Sequence, residues 1–466
     1  MAITKTRFAP SPTGKLHLGG LRTALYAWCF AKKSGGEFYL RIEDTDQKRF
    51  VKGAKESLIS VLKRVGLDFK DKPIVQSQRK DIYQKHANQL IEKDVAYRCF
   101  CTKETLKEMK DAQREQKKPI KYDARCRTLS QKQIDKNLQD GLHFVVRLAV
   151  PKDRIFLIND IIYGETKIHS SLVDDQVLIK SDGFPTYHLA ATVDDHLMGI
   201  THVIRGQEWL SSTPKHILLY EYFGWKAPVW AHLPLILNRD KSKLSKRHGD
   251  FSVEQFIELG YLPQTLVNFV ALLGWHPQGD NEIFNLQQMA SGFSLADVNK
   301  SGAVFDQVKL DWMNAHYLKT MDLEKLTQLS KPFFVKAGFD VSEKNKLLKV
   351  VQFARERITL LPQIVDISRV FYEEINFTCE DLQLLKDKNS QKVFAYYLQN
   401  LKPDFKASKL EELILEASKA CGVKGKDYYF PLRLALYGQT KGPHIPVLIE
   451  ILGYEKTRAR LAAARN

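Results

Sequence analysis

The spacing of apolar residues near the start of the chain switches from strand to helix and back to strand. Thr6-Arg7-Phe8-Ala9 reads as a short strand that must stop at Pro10 and Pro12. Leu21, Leu25 and Trp28 then recur at i, i+4 and i+7, which predicts a helix reaching about Lys33. Gly35-Gly36 ends it, and Glu37 to Ile42 reads as a second strand. So short a strand–helix–strand unit implies parallel strands with a right-handed crossover. Ligands of such sheets sit beyond the carboxyl ends of the strands, where the loop from Pro10 to Gly20 falls.

Further along, Lys103 to Leu138 is rich in lysine and glutamine with few apolar anchors, as expected of an exposed insertion outside the sheet. Strand-like segments return at Val145 to Leu148, Gln176 to Ile179 and His202 to Ile204, and a helix follows Pro214. From about Leu323 the pattern is helical, with breaks expected at Pro332, Pro362 and Pro403. The fold class is therefore α/β first and mostly α-helical second.

With 466 residues, of which 44% are hydrophobic and 27% charged, the composition is that of a globular protein and excludes a disordered or fibrous chain. The start lacks the apolar core of a signal peptide and no run is long enough to span a membrane, so the expected setting is the cytoplasm. The net charge is +17, and the first 80 residues hold 17 basic against 7 acidic side chains. Such a surplus favours a polyanionic partner. Six cysteines are too few for a disulfide scaffold and point instead to metal or redox chemistry where they cluster.

Two motifs carry phosphate chemistry. In Pro10-Ser-Pro-Thr-Gly-Lys-Leu-His17-Leu-Gly19-Gly20, two glycines after a histidine let a nucleotide approach the backbone at a helix start. There the free N–H groups and the helix dipole favour phosphate. Lys241-Ser-Lys243-Leu-Ser-Lys246-Arg follows an apolar segment, and its two lysines three residues apart suit charge migrating onto a triphosphate.

These motifs resemble the two signatures of class I aminoacyl-tRNA synthetases. Arg41-Ile-Glu-Asp-Thr-Asp46, Lys180 to Tyr187, Val193 to Gly199, His202 to Trp209 and Ala231 to Leu237 extend the resemblance to the bacterial glutamyl-tRNA synthetases, in family order. The resemblance implies a Rossmann-type class I catalytic domain over residues 1–320, with an insertion at about 97–185 and a signature-loop subdomain at about 238–320. An α-helical anticodon-binding region would follow over 321–466. It implies ATP-dependent ligation of L-glutamate to tRNA(Glu) through a glutamyl-adenylate with Mg2+, leaves charging of tRNA(Gln) open, and suggests a monomer. It assigns His17, Lys243 and Lys246 to catalysis and, with Gly19, Gly20, Glu208 and Trp209, to ATP. Arg7, Ser11, Glu43, Tyr187 and Arg205 would hold glutamate, and Asp46, Arg49, Arg355 and Arg357 would meet tRNA. The physical fit is plain for the amino acid: guanidinium forks for carboxylates and Glu43 for the ammonium. At Ala191 some relatives carry an asparagine.

Cys99, Cys101 and Cys126 resemble a zinc site of some family members, but the position of their fourth ligand is occupied here by Thr128, a poor zinc ligand. Zinc completed by water or by a residue such as His143, and ordinary packed thiols, both remain open. A related tRNA-modifying enzyme would share the N-terminal motifs but lack the helical region, and a silent RNA-binding scaffold would have lost His17 or the two lysines. A nucleotidyltransferase would explain the first loop and not the glutamate set.

Overall fold

The computed structural model describes residues 3–242, 244, 252–277 and 279–465. Lys243 and Lys246 lie outside them. The chain divides into two compact units, one of residues 1–258 with 262–310 and the other of 259–261 with 311–466.

In the first unit the opening elements follow the apolar spacing closely. Strand β1 (Lys5–Phe8) leads through the proline loop to helix α1 (Leu18–Lys33) and strand β2 (Glu37–Ile42), which pairs in parallel with β1. Helix α1 buries Leu21, Leu25 and Trp28. Helix α2 (Ala54–Arg64) crosses to β3 (Lys70–Val75), the third strand of this sheet, and helix α3 (Lys80–Glu92) follows. Between β4 (Ala96–Cys99) and β5 (Val145–Leu148) lie two well-separated helices, α4 (Lys103–Glu115) and α5 (Gln131–Gln139). That segment contributes no strand and little core, since α5 buries nothing and α4 buries only Met109.

The next elements build a second sheet. Strands β6 (Ile155–Asp160) and β7 (Gly164–His169) form an antiparallel hairpin that the apolar pattern did not reveal. In Ile155-Phe-Leu-Ile158 both faces are apolar, so the alternation that marks a half-buried strand is lost. Ile155 and Leu157 point outward while Phe156 and Ile158 enter the core. Strand β8 (Val177–Ile179) joins β4 and β5 in a separate antiparallel sheet. Helix α6 (Tyr187–Leu197), strand β9 (His202–Gly206), helix α7 (Thr213–Phe223) and strand β10 (Val229–Leu233) complete the second sheet in the order β7-β6-β10-β9. The N–H of Thr201 donates to the Lys5 carbonyl at 2.9 Å, which sets the start of β9 beside β1. The carboxyl ends of β1, β9 and β10 therefore open toward the same loops.

Strand β11 (Ile236–Leu237), helices α8 (Val253–Leu259), α9 (Pro263–Ala271) and α10 (Leu286–Gly292), strand β12 (Ala303–Val304) and helix α11 (Gln307–Thr320) follow. The second unit is helical: α12 (Leu323–Lys336), α13 (Lys344–Ala354), α14 (Ile364–Ser368), α15 (Cys379–Leu385), α16 (Lys388–Asn400), α17 (Ala407–Cys421), α18 (Lys426–Tyr437) and α19 (Ile445–Arg465). The break expected at Pro332 does not occur, because α12 runs through it. Burial of Leu326, Ser330 and Phe334 on one face, with an Asp322 cap, outweighs the one lost backbone bond. Pro362 instead starts a short 3-10 turn, and Pro403 sits in the loop after α16. Among the described residues no helix is long and apolar enough to cross a membrane.

Candidate active site

A cleft of about 550 Å3 opens where the first two sheets meet, lined from the β1 loop, α1, α6, β9 and the segment after β10. Arg7, Ser11, His17, Gly19, Gly20, Glu43, Tyr187, Arg205, Glu208 and Trp209 all line it, so residues spread over two hundred positions converge as the motif reading expected. Leu244 lines it too and donates its N–H to the Ile236 carbonyl at 3.0 Å.

His17 is the N-cap of α1. Its Nδ1 accepts the N–H of Gly20 at 3.1 Å, so the ring proton of the neutral imidazole belongs on Nε2. A side chain at Gly20 would bring Cβ to 2.7 Å from Leu16 Cδ1, and one at Gly19 would crowd the His17 ring at 3.1 Å. The two glycines thus keep the helix start open.

At the other wall, charges are buried in a matched set. Arg41 Nη2 donates to Glu43 Oε1 at 3.0 Å, and Arg41 Nη1 to Asp195 Oδ1 at 2.5 Å. Arg7 meets the same aspartate through Nε at 2.9 Å and Nη2 at 3.2 Å. The bidentate fork expected to take a ligand carboxylate is thus engaged by Asp195, and Nη1, the nitrogen that does not touch Asp195, makes one long contact of 3.5 Å to the Ile204 carbonyl. Burial opposes ionisation of Asp195, but Arg41 and Arg7 outweigh it and hold its carboxyl below the usual range. Burial wins at Glu43, whose carboxyl is pushed up despite Arg41 and Arg7. Arg41 and Asp195 stand inside the quoted motifs without a role assigned from sequence. Two adjacent acids, Asp194 and Asp195, directly after the mostly apolar run Leu189 to Val193 of α6 were the available signal.

Arg205 is different. It is 5% exposed, and its hydrogen bonds end on His232, Tyr187, His216, Trp209 and Thr213, with no acid among them. It also lies 5.0 Å over the Trp230 ring. Burial, reinforced by Arg205, drives the His216 pKa well below the ordinary value, so this neighbour adds no second positive charge of its own. Tyr187 and Trp209 pack with centroids 4.1 Å apart and ring planes tilted by 35°, and line the pocket beside it. A buried guanidinium without an acidic partner invites an anionic ligand.

Residues 4–312 match the model of tRNA synthetases class I (E and Q), catalytic domain, and residues 325–465 match that of an anticodon binding domain. A glutamate–tRNA ligase of Clostridioides difficile is 42% identical with 99% of each chain covered, and one of Alkaliphilus metalliredigens is 41% identical with 99% and 98% covered. The chain belongs to the glutamate–tRNA ligase family. Its backbone matches the crystal structure of a glutamate tRNA ligase from Elizabethkingia meningosepticum in complex with its amino acid, with TM-score 0.92, 37% identity and 100% and 99% of the two chains covered. Family membership carries with it the class I α/β catalytic fold followed by an anticodon-binding domain, and the use of ATP.

The other expected site residues of this glutamate–tRNA ligase chain are scattered. Arg49 is exposed and Asp46 half-buried, and the two pair with each other at 2.7 Å. In the second unit Arg355 caps α13 and sits 3.6 Å from Glu356, while Arg357 is exposed with its guanidinium 3.9 Å over the Phe353 ring.

In the insertion, the Sγ atoms of Cys99, Cys101 and Cys126 all lie within 4.8 Å of one another. Thr128 is exposed and bonds to the Arg125 carbonyl, and His143 is exposed and outside the group. The fourth donor at the cluster is Tyr122, which the sequence reading passed over. Its hydroxyl is 3.3 Å from Cys99 Sγ and 3.4 Å from Cys101 Sγ. Three thiols and a phenol at this spacing fit a tetrahedral zinc, whose sulfurs at ~2.3 Å from the metal would stand about 3.8 Å apart. Hydrogen bonding from Cys126 pulls the Cys99 thiol down, while burial pushes the Tyr122 phenol up. Arg147, 3.9 Å over the Tyr122 ring, balances the resulting thiolate.

Proposed function

We propose that this chain activates L-glutamate with ATP and transfers it to the 3′ end of tRNA(Glu). The observation that carries the reading is Arg205: a buried cation without an acidic partner among the described residues, in the same cleft as a histidine-capped helix start. A carboxylate oxygen of glutamate attacks the α-phosphorus of ATP, the bond to the β-phosphate oxygen breaks, and pyrophosphate leaves with the electron pair. A terminal hydroxyl of the tRNA then attacks the adenylate carbonyl and AMP leaves. Arg205 and the Nη1 of Arg7 hold carboxylates, Glu43 takes the ammonium, and Ser11 and Tyr187 supply hydrogen bonds.

The Nε2–H of His17 faces the developing charge on the phosphates, with Lys243 and Lys246 from the second signature on the same charge. Gly19 and Gly20 admit the nucleotide, which Glu208 and Trp209 border. Mg2+ bound to the phosphates would neutralise part of the charge that moves to pyrophosphate. Asp46 and Arg49 are assigned to the tRNA acceptor end, and Arg355 and Arg357 to the anticodon. Cys99, Cys101, Cys126 and Tyr122 would hold zinc as a structural clamp on the insertion. We place the enzyme in the cytoplasm as a monomer, with catalytic residues 1–320 and anticodon-binding residues 321–466.

The test is charging of labelled glutamate onto purified tRNA(Glu) and, separately, tRNA(Gln), with ATP and Mg2+. Charging of the first is expected. Charging of both makes the enzyme non-discriminating, and charging of neither by a folded protein overturns the reading.

A further inference from the structure

Behind the cleft, Arg205 is held by a chain of hydrogen bonds that runs across three neighbouring strands. Arg205 on β9 and His232 on β10 are register partners in a parallel pair, and β10 pairs in turn with β6, which ends at Asp160. The Asp160 carboxylate is saturated by N–H groups. Oδ1 accepts from the backbone of Ile162 and Tyr163, each at 2.9 Å, and Oδ2 accepts from the His232 backbone at 3.0 Å and lies 2.6 Å from its Nδ1. All of this is shut away from water, with His232 at 0% and Asp160 at 4% exposure.

That arrangement decides the histidine's chemistry. Asp160 is an acceptor, so the Nδ1 facing it carries the proton, and Nε2 is left with a lone pair. Arg205 Nε donates to that Nε2 at 3.0 Å. Burial, the largest influence, lowers the His232 pKa, with the hydrogen bond to Asp160 opposing, so the ring stays the neutral acceptor this contact needs. Thr213 Oγ1 accepts from Arg205 Nη2 at 3.0 Å and fixes a second point on the guanidinium. The remaining contacts are longer: Nη1 to Tyr187 at 3.2 Å and to His216 at 3.5 Å, and Nη2 to the Trp209 carbonyl at 3.4 Å. Nε and Nη2 are thereby tied to the protein at 3.0 Å each, and the longer contacts of the terminal Nη pair are the ones a ligand carboxylate would replace.

We infer that Asp160 and His232 are positioning residues for substrate recognition: Asp160 sets the His232 tautomer, and His232 aims the terminal edge of Arg205 at a carboxylate of glutamate. This rests on the reading of Arg205 given above. It adds a specificity element that touches no substrate and acts through one guanidinium.

The experiment is steady-state charging of tRNA(Glu) with glutamate and ATP each varied, for wild type, Arg205→Ala, His232→Leu and His232→Gln, with thermal midpoints measured alongside. His232→Leu keeps the volume and removes the acceptor, and a rise in the glutamate KM of about tenfold to a hundredfold is expected. The ATP KM and kcat should stay within about twofold, since the phosphate wall is untouched. His232→Gln presents an amide oxygen to Arg205 Nε and should recover most of the loss, which a purely structural role would not predict.

A glutamate KM raised by Arg205→Ala but unmoved by His232→Leu overturns the inference alone. A KM unmoved by Arg205→Ala overturns the assignment of Arg205 and this inference with it. Should the leucine variant not fold, the 15N imidazole shifts of His232 in wild type decide: protonated Nδ1 with unprotonated Nε2 at neutral pH supports the relay, and either the other tautomer or an imidazolium overturns it.

Discussion

Two of the buried polar clusters in the first unit are built on opposite plans. At the cleft, Arg7, Arg41, Asp195 and Glu43 come from β1, β2 with the loop after it, and α6, and the longest link spans 188 positions. In the insertion, Cys99, Cys101, Tyr122 and Cys126 all fall within one short stretch of chain. The cleft cluster therefore exists only once the sheets have formed, and its charges are matched by tertiary contacts. The insertion cluster is assembled locally, around a segment that buries little else, and stands to gain its order from a bound metal. Stability is coupled to substrate binding in the first, and in the second local order would be coupled to a metal with the substrate cleft untouched.

The sharpest way to break this contrast is Asp195→Asn. It leaves Arg7 and Arg41 buried without their shared carboxylate, and a loss of about 3–5 kcal/mol in urea unfolding is expected together with loss of charging activity. Retained stability would show that the cleft set is not a structural hub. Lys246→Ala tests the second signature, with adenylate formation falling by about a hundredfold to a thousandfold and the melting temperature unchanged. Normal activation by that variant would remove the lysine from the mechanism.

Smaller, and confined to the fold, is an acid dependence. Burial lowers the pKa of His188 to about 3 and that of His216 well below its ordinary value. The unfolded chain takes up these protons below pH ~6.5 while the folded chain does not, so stability falls as pH drops through that point. The expected slope approaches 1.4 kcal/mol per pH unit for each of the two histidines. His188→Gln should flatten it, and an equally steep curve in that variant would refute the assignment. Smallest is Tyr122→Phe, for which zinc retention measured after dialysis against a chelator should fall while glutamate and ATP KM values stay put. Equal retention would return the fourth ligand to water.

These contrasts also explain what could be read in advance. The strand–helix–strand opening was legible because its apolar periods are unmixed and proline and glycine mark its ends. The β6–β7 hairpin was not, since Ile155 and Leu157 are apolar on the exposed face and erase the alternation. The cleft residues were legible through motifs, each a local string. Asp195, His232 and Asp160 were not given roles, because what defines them is a partner on another strand or helix, and spacing along the chain carries no trace of that. Tyr122 escaped for a different reason: the family pattern puts the fourth ligand two residues after Cys126, whereas this donor stands four residues before it.

His17 joins two tasks that are usually separate. The ring that would face the phosphates is also the first stitch of α1, so its reach is metered by whether that first turn is closed. Conditions that fray the helix start, well short of unfolding, should slow the chemistry early. Conversely, an asparagine in its place would keep the helix sewn shut and leave the reaction without its donor.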